Sequence, residues 1–412
     1  MFKKFKKTKL AIVLAVALIM CFGSVATVFA SDYTPVTGTP QNPAQAGITK
    51  ILQTPYGTTI PSNMTFNFVV TSVSLNGIPV GDPEWPAGIT MPQLGTAGAV
   101  AIPVTDANMT TTSGVTTRIM ESGNLLGAIN WPSTGIFEFT IVETANFLPY
   151  VQNQNIDILE SYVFSQAQFT LRVHVGEYDG VRYVRYTYAL RTHNDDGTPG
   201  SGKLDPTPGT SNTQGDHSQV IFNNRYWRTT DQDTDTDEGP LVVSKTVTGT
   251  GGSLTNPFSF SITLGLNATL FPTPNPFVAY IYDADDDRVS GPHNFTRDAA
   301  GNVTGTFTLR HGERLVFQNT PVGTQFNVTE TAVFGYTTSI LVNGVSINPG
   351  LTTADRFVLE AGSTAAFTNN NVIPPPTGIA LSDLPFYGMI ALAIGGLVMF
   401  IIVKAKKHKS YN

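Results

Sequence analysis

The chain has 412 residues, with 24 Lys plus Arg against 30 Asp plus Glu, a net charge of −6 at pH 7 and a single cysteine. The acidic balance argues against nucleic-acid binding, and one cysteine leaves no intrachain disulfide or cysteine-built metal site. With 38 glycines, 27 prolines and 41% hydrophobic residues, the composition is that of a folded, turn-rich protein.

In chain order, residues 1–30 read as a secretory signal peptide. Lys3, Lys4, Lys6, Lys7 and Lys9 precede an apolar run from Leu10 to about Phe22, and Val28-Phe29-Ala30 offers a small-residue cleavage site. Cleavage after Ala30 would remove Cys21, the only cysteine. Residues 31–39 form a short N-terminal segment. A first domain is expected over 40–228. Ile48, Lys50 and Leu52 share one face of a strand, because side chains alternate with period two. Phe66, Phe68 and Val70 alternate in a strand that could pair with the lysine strand. Residues 72–135 are rich in turn formers and hard to assign.

The stretch from Gly135 to Thr144 reads as a strand with Phe137, Phe139, Ile141 and Glu143 on one face. A carboxylate closing an apolar face is costly unless it is paired or neutral, so Glu143 needs a partner. Phe169–Val175 and Val181–Tyr188 form a hairpin across Gly176–Gly180. A long polar loop from Thr192 to His217 carries Lys203 in a flexible, exposed Gly/Ser/Pro setting. Val220, Phe222, Asn224 and Tyr226 then mark a final strand. Residues 229–240 are an acidic linker, with five Asp or Glu from Asp231 to Glu238.

A second domain over 241–371 repeats the order. Leu241, Val243, Lys245 and Val247 align on one strand face; Phe326, Val328 and Glu330 on another; Ala365, Phe367 and Asn369 on a third. Thr306–Arg310 and Leu315–Phe317 bracket His311-Gly312-Glu313 as a hairpin turn. Asn223 and Asn370, neighbours of the two asparagines, fall on the opposite strand faces. Residues 372–412 hold Pro374-Pro375-Pro376-Thr377-Gly378, an apolar run from Leu384 to Val403 and a tail with Lys404, Lys406, Lys407 and Lys409. Twenty apolar residues can span a bilayer, and the basic tail orients the end to the cytoplasm.

Lys, Glu and Asn thus recur twice in the same order, each on an apolar face. This pattern resembles the Gram-positive pilin and surface-protein domains that form spontaneous Lys–Asn isopeptide cross-links. Val142-Glu143-Thr144 and Val328-Thr329-Glu330-Thr331 match the strand carrying the assisting glutamate. Phe222-Asn223-Asn224 and Phe367-Thr368-Asn369 match the one carrying the acceptor. The resemblance implies an all-β chain of two tandem Ig-like (CnaA/CnaB-like) β-sandwiches. It also implies cross-links Lys50–Asn224 and Lys245–Asn369, assisted by Glu143 and Glu330. A lysine buried in an apolar core has its pKa lowered and a buried glutamate has its pKa raised. A neutral amine is a nucleophile, and a neutral carboxylic acid can hydrogen-bond the asparagine carbonyl and shuttle protons. The competing reading is two buried salt bridges, with each asparagine a capped turn residue.

Residues 374–378 before span and basic tail resemble a sortase sorting signal with proline in place of its leucine. That resemblance implies cleavage between Thr377 and Gly378 and transfer of Thr377 to an amine. Residues 31–377 carry 12 Arg and three Lys, namely Lys50, Lys203 and Lys245, against 29 acidic residues. If two lysines are consumed internally, Lys203 is the candidate intersubunit lysine. The acidic runs at Asp231–Glu238 and Asp283–Asp287 lack the spacing of a calcium loop, and the histidines lack metal spacing. No metal or cofactor is expected. Apart from the single-turnover cross-linking, no enzyme is expected. The implied function is a pilus shaft subunit, exported, transiently membrane-anchored, then joined by sortase to neighbouring pilin subunits or peptidoglycan. The alternative is a monomeric wall-anchored adhesin or stalk that binds a host or matrix ligand through residues 72–135.

Overall fold

The computed structural model describes residues 37–144, 160–209, 217–229, 239–267, 270–271, 276–298, 303–347, 350–372 and 384–409. The expected signal peptide, the run Asp231–Glu238 and the motif at 374–378 lie outside the described residues. The regular structure of the described residues is strand, in four sheets joined by turns and loops, apart from one helix.

The first sandwich begins with β1 (Thr49–Pro55) and β2 (Thr65–Leu75), then β3 (Ile78–Pro79), β4 (Ala99–Pro103), β5 (Met109–Thr112) and β6 (Val115–Glu121). It continues with β7 (Gly135–Thr144), β8 (Glu160–Val163), β9 (Gln168–Tyr178), β10 (Val181–His193), β11 (Lys203–Leu204) and β12 (Ile221–Arg228). One sheet has the order β5-β6-β1-β12-β8; the other runs β11-β10-β9-β7-β2-β3, with β4 also on β2. Phe66, Phe68, Phe137, Phe139, Phe169 and Phe222 are fully buried between them. Each comes from a strand whose burial alternates residue by residue, as one-face burial requires. The hairpin turn is tighter than the sequence indicates: β9 and β10 are joined by Asp179 and Gly180, both at positive φ, the geometry of a two-residue turn that matches strand twist.

Two expectations for the first sandwich are corrected. β2 does not pair with the lysine strand but with β7, β3 and β4 in the facing sheet. Both edges of β1 are already occupied, by β12 in parallel and β6 antiparallel. Residues 72–135, hard to assign from the sequence, hold β3 to β6. Lys203 is not in a flexible exposed loop. It lies in β11, paired with β10 at Leu190, half-buried, with its Nζ 4.3 Å from the centre of the Tyr188 ring.

The second sandwich comprises β13 (Leu241–Thr248), β14 (Phe258–Gly265), β15 (Phe277–Tyr282), β16 (Arg288–Phe295), β17 (Val303–Leu309) and β18 (Arg314–Phe317). Then come β19 (Gln325–Glu330), β20 (Thr337–Val342), β21 (Val345–Ile347), β22 (Arg356–Phe357) and β23 (Ser363–Asn370). Its sheets have the orders β16-β15-β18-β13-β23-β20-β21 and β17-β14-β19-β22. The turn at His311–Glu313 is not a hairpin turn. β17 pairs with β14 in one sheet while β18 pairs with β13 and β15 in the other, so the turn crosses the core from sheet to sheet. It is held there by β13: Gly312 N–H donates to Lys245 O, Lys245 N–H to Glu313 O, and Val247 N–H to His311 Nδ1.

The sandwiches abut. Arg228 pairs with Glu360 at 2.5 Å, whose other oxygen accepts from Thr59 N–H, while Val322 N–H donates to Arg228 O. The Tyr56 and Phe357 rings lie 4.9 Å apart. Beyond them, α1 (Leu384–Lys409) contains a 22-residue stretch, Pro385–Lys406, long and apolar enough to cross a membrane.

Candidate functional site

Each sandwich brings its predicted lysine, glutamate and asparagine together. In the first, β1 and β12 are the first and last strands and lie side by side in parallel. Lys50 on β1 and Asn224 on β12 point from one sheet into the core, and Glu143 on β7 points back from the other. Lys50 is fully buried, Asn224 is 2% exposed, and the Glu143 side chain is 1% exposed. Glu143 bridges its partners: Oε2 accepts from Lys50 Nζ at 2.8 Å and Oε1 from Asn224 Nδ2 at 2.7 Å. The Phe66 ring lies 4.7 Å from the ammonium nitrogen, a cation–π contact that also walls off water.

Burial pushes the Lys50 amine down to about 8, against the opposing pull of Glu143. Burial likewise raises the Glu143 carboxyl above its ordinary range, offset in part by Lys50 and Asn224. Both shifts favour the neutral pair, because low-dielectric surroundings penalise whichever form carries charge.

The second sandwich repeats the arrangement on β13, β19 and β23, with Lys245, Glu330 and Asn369 each about 1% exposed. Glu330 Oε1 accepts both from Lys245 Nζ at 2.8 Å and from Asn369 Nδ2 at 2.6 Å. Burial lowers the Lys245 amine as well, opposed by Glu330. Phe258 takes the place of Phe66, 4.5 Å from the nitrogen. One difference stands out. Glu330 Oε2 and Asn369 Oδ1 are buried without a hydrogen-bond partner, whereas Asn224 Oδ1 accepts from Ser165 N–H at 2.7 Å.

The expectation that the glutamate hydrogen-bonds the asparagine carbonyl is corrected. In both triads it faces the amide nitrogen. In the first, the reason is visible: the Ser165 N–H can only donate, so it holds the amide oxygen and turns Nδ2 toward Glu143. Asn223 and Asn370 lie outside the cores, as strand alternation requires; Asn223 is bonded to Asp195, and Asn370 is exposed. Ser165 and Asp195 escaped the sequence reading. Neither sits in a patterned strand, and only the fold carries them to β12. Thr377 and Gly378 lie outside the described residues. Among the described residues no cluster of three or more His, Cys, Asp or Glu is placed to hold a metal ion. Asp283, in the second acidic run, accepts from Asp285 N–H and Asp287 N–H in a local turn.

Residues 239–371 match a family model described as Domain of unknown function (DUF7601). The chain is similar to a protein named Pilin from Streptococcus pyogenes serotype M1, 28% identical over 171 residues that cover 40% of this chain and 48% of that one. It is similar to the pilus tip adhesin Cpa of Streptococcus pyogenes, 30% identical over 141 residues, covering 34% of this chain and 18% of the adhesin. The chain therefore spans about half the length of the first relative and under a fifth of the second. Among solved structures it resembles the major pilin from Streptococcus pyogenes, at 19% identity and a TM-score of 0.32, over 81% of this chain and 100% of that one. Over the stretches shared with the pilin and the tip adhesin, the chain is a homologue of streptococcal pilus proteins.

Proposed function

We propose that this chain is a structural subunit of a surface pilus, a shaft pilin whose two sandwiches each close on an autocatalytic Lys–Asn isopeptide bond. The observation that carries the reading is the duplicated buried triad, each joining the first and last strands of its sandwich through one glutamate. An amine and a carboxamide held against a shared carboxyl have the entropic advantage of an intramolecular reaction. The products would be Lys50–Asn224 and Lys245–Asn369, with Glu143 and Glu330 moving the protons. Tension applied along the chain would then fall on covalent bonds rather than on ladder hydrogen bonds. The similarity to a pilin and the apolar helix at the C-terminal end support surface display.

In this reading a sortase cleaves between Thr377 and Gly378 and joins Thr377 to Lys203 of the next subunit. Lys203 belongs to a two-residue strand at a sheet edge, where a neighbouring chain can approach. The Lys203→Arg variant, expressed with its sortase, is expected to abolish the ladder of high-molecular-weight species in wall extracts. A surviving ladder would remove Lys203 from the role. Absence of any ladder from the unaltered protein would favour a monomeric wall-anchored adhesin.

A further inference from the structure

The first triad contains a feature that the second lacks, and it concerns the oxygen rather than the nitrogen of the acceptor amide. Asn224 Oδ1 is buried and accepts the backbone N–H of Ser165, itself only 5% exposed, at 2.7 Å. Ser165 follows β8 and is fixed in place by Asp195, from the loop after β10. The Asp195 main-chain oxygen accepts from Gln166 N–H. Its carboxylate accepts from Ser165 Oγ, from Asn223 N–H at 2.9 Å and from Asn223 Nδ2 at 2.7 Å. One side chain thus ties the Ser165 segment to the acceptor strand on the face opposite the core. In the second sandwich Asn369 Oδ1 has no donor.

We propose that Ser165 N–H is the oxyanion donor for Lys50–Asn224 bond formation, and that Asp195 is the positioning residue that aims it. This rests on the isopeptide reading above. Neutral Lys50 Nζ adds to Asn224 Cγ, and the carbonyl electron pair moves onto Oδ1, where the Ser165 N–H holds the developing charge. Glu143, in contact with both nitrogens, takes the proton from the attacking amine and delivers one to Nδ2. The Cγ–Nδ2 bond breaks, ammonia leaves, and the secondary amide remains, with no other reactant consumed. A donor already aimed at the oxygen costs no reorganisation as charge develops. The Lys245–Asn369 site has no such donor and serves as an internal reference.

The test is timed cell-free synthesis of the full chain, quenched at intervals and digested, with the Lys50–Asn224 and Lys245–Asn369 cross-linked peptides quantified separately. Ser165→Pro removes the N–H and is expected to slow the first bond by about 10²–10³-fold, the scale of losing one oxyanion donor, and to leave the second unchanged. Ser165→Ala keeps the N–H but cuts the Oγ tie to the Asp195 carboxylate, and is expected to slow the first bond far less than Ser165→Pro and no more than Asp195→Ala. Asp195→Ala is expected to slow the first bond alone, and Asp195→Asn, whose one oxygen still accepts from Ser165 Oγ and Asn223 N–H while the bond from Asn223 Nδ2 is lost, to restore part of it. A first bond forming at the unaltered rate in Ser165→Pro overturns the proposal. If that variant does not fold, judged by protease resistance of the first sandwich, the Asp195 pair decides. An unaltered rate in Asp195→Ala, or no rescue in Asp195→Asn, overturns it. Absence of the Lys50–Asn224 peptide from the unaltered chain is a different result, which defeats the isopeptide reading itself.

Discussion

Asn224 stands opposite Leu52 on the neighbouring parallel strand, two residues beyond Phe222, the partner of Lys50. Lys245 and Asn369 repeat the offset, with Phe367 opposite Lys245 and Asn369 opposite Val247. An offset of two keeps both side chains on one face of the sheet and separates them by about 7 Å along the strand. That gap is spanned by a long lysine from one side and filled by the glutamate descending from the facing sheet. The two sandwiches share this register although their strand orders and loops differ.

A buried triad has consequences when one member is removed. Lys245→Ala leaves the Glu330 carboxyl in the core without its cation. Measured against Asn369→Ala, which also lacks the bond, it is expected to be less stable by about 3–5 kcal/mol, the cost of an orphaned buried charge. Lys245→Met combined with Glu330→Leu leaves no charge behind and is expected to recover most of that loss. Urea unfolding of the three proteins checks both statements.

The pKa shifts set a pH signature for the first triad in a protein that cannot cross-link, such as Asn224→Ala. The Lys50 amine is held at about 8 in the fold against 10.5 when unfolded. Between those values the unfolded chain binds more protons, so stability is expected to rise with pH. The Glu143 carboxyl is raised above 4.5; the folded chain binds more protons there, so stability is expected to fall as pH climbs from 4.5 through the folded value. Thermal unfolding across the pH range should show a minimum between the two windows. A monotonic profile would contradict the assignment.

Where the sandwiches meet, Gly323 is held at φ +77°, and a Cβ there would sit 2.5 Å from Pro55 Cβ and 2.7 Å from Tyr56 O. Gly323→Ala is expected to combine left-handed strain of about 1–3 kcal/mol with a backbone clash that separates the sandwiches. Gly344 has a similar φ of +74° but open space around it, so Gly344→Ala isolates the strain. Calorimetry should show the larger loss, and a split transition, for Gly323→Ala alone.

Much of this was readable from residue order because the decisive residues lie on strands with clean two-residue alternation. Phe137, Phe139, Ile141 and Glu143 needed no partner strand to declare their common face. Pairing was another matter. Alternation shows which way Phe66 and Phe68 face but not which sheet they belong to, and β2 proved to cross the core from Lys50 rather than flank it. The turn at His311–Glu313 has hairpin chemistry, yet the edges of β13 and β14 draw its two flanking strands apart. Lys203 looked mobile because Gly, Ser and Pro surround it; a two-residue pairing to Leu190 is too short to leave a pattern. Ser165 and Asp195 act through a backbone N–H and a loop carboxylate, which carry no periodic signal at all.

The most direct test is the intact mass of residues 31–377, the part that the proposed processing would leave. Two isopeptide bonds would make the mass lower than the sequence mass by two molecules of ammonia, with Glu143→Ala and Glu330→Ala each restoring one. A mass equal to the sequence mass would contradict both bonds and leave both triads as buried ion pairs.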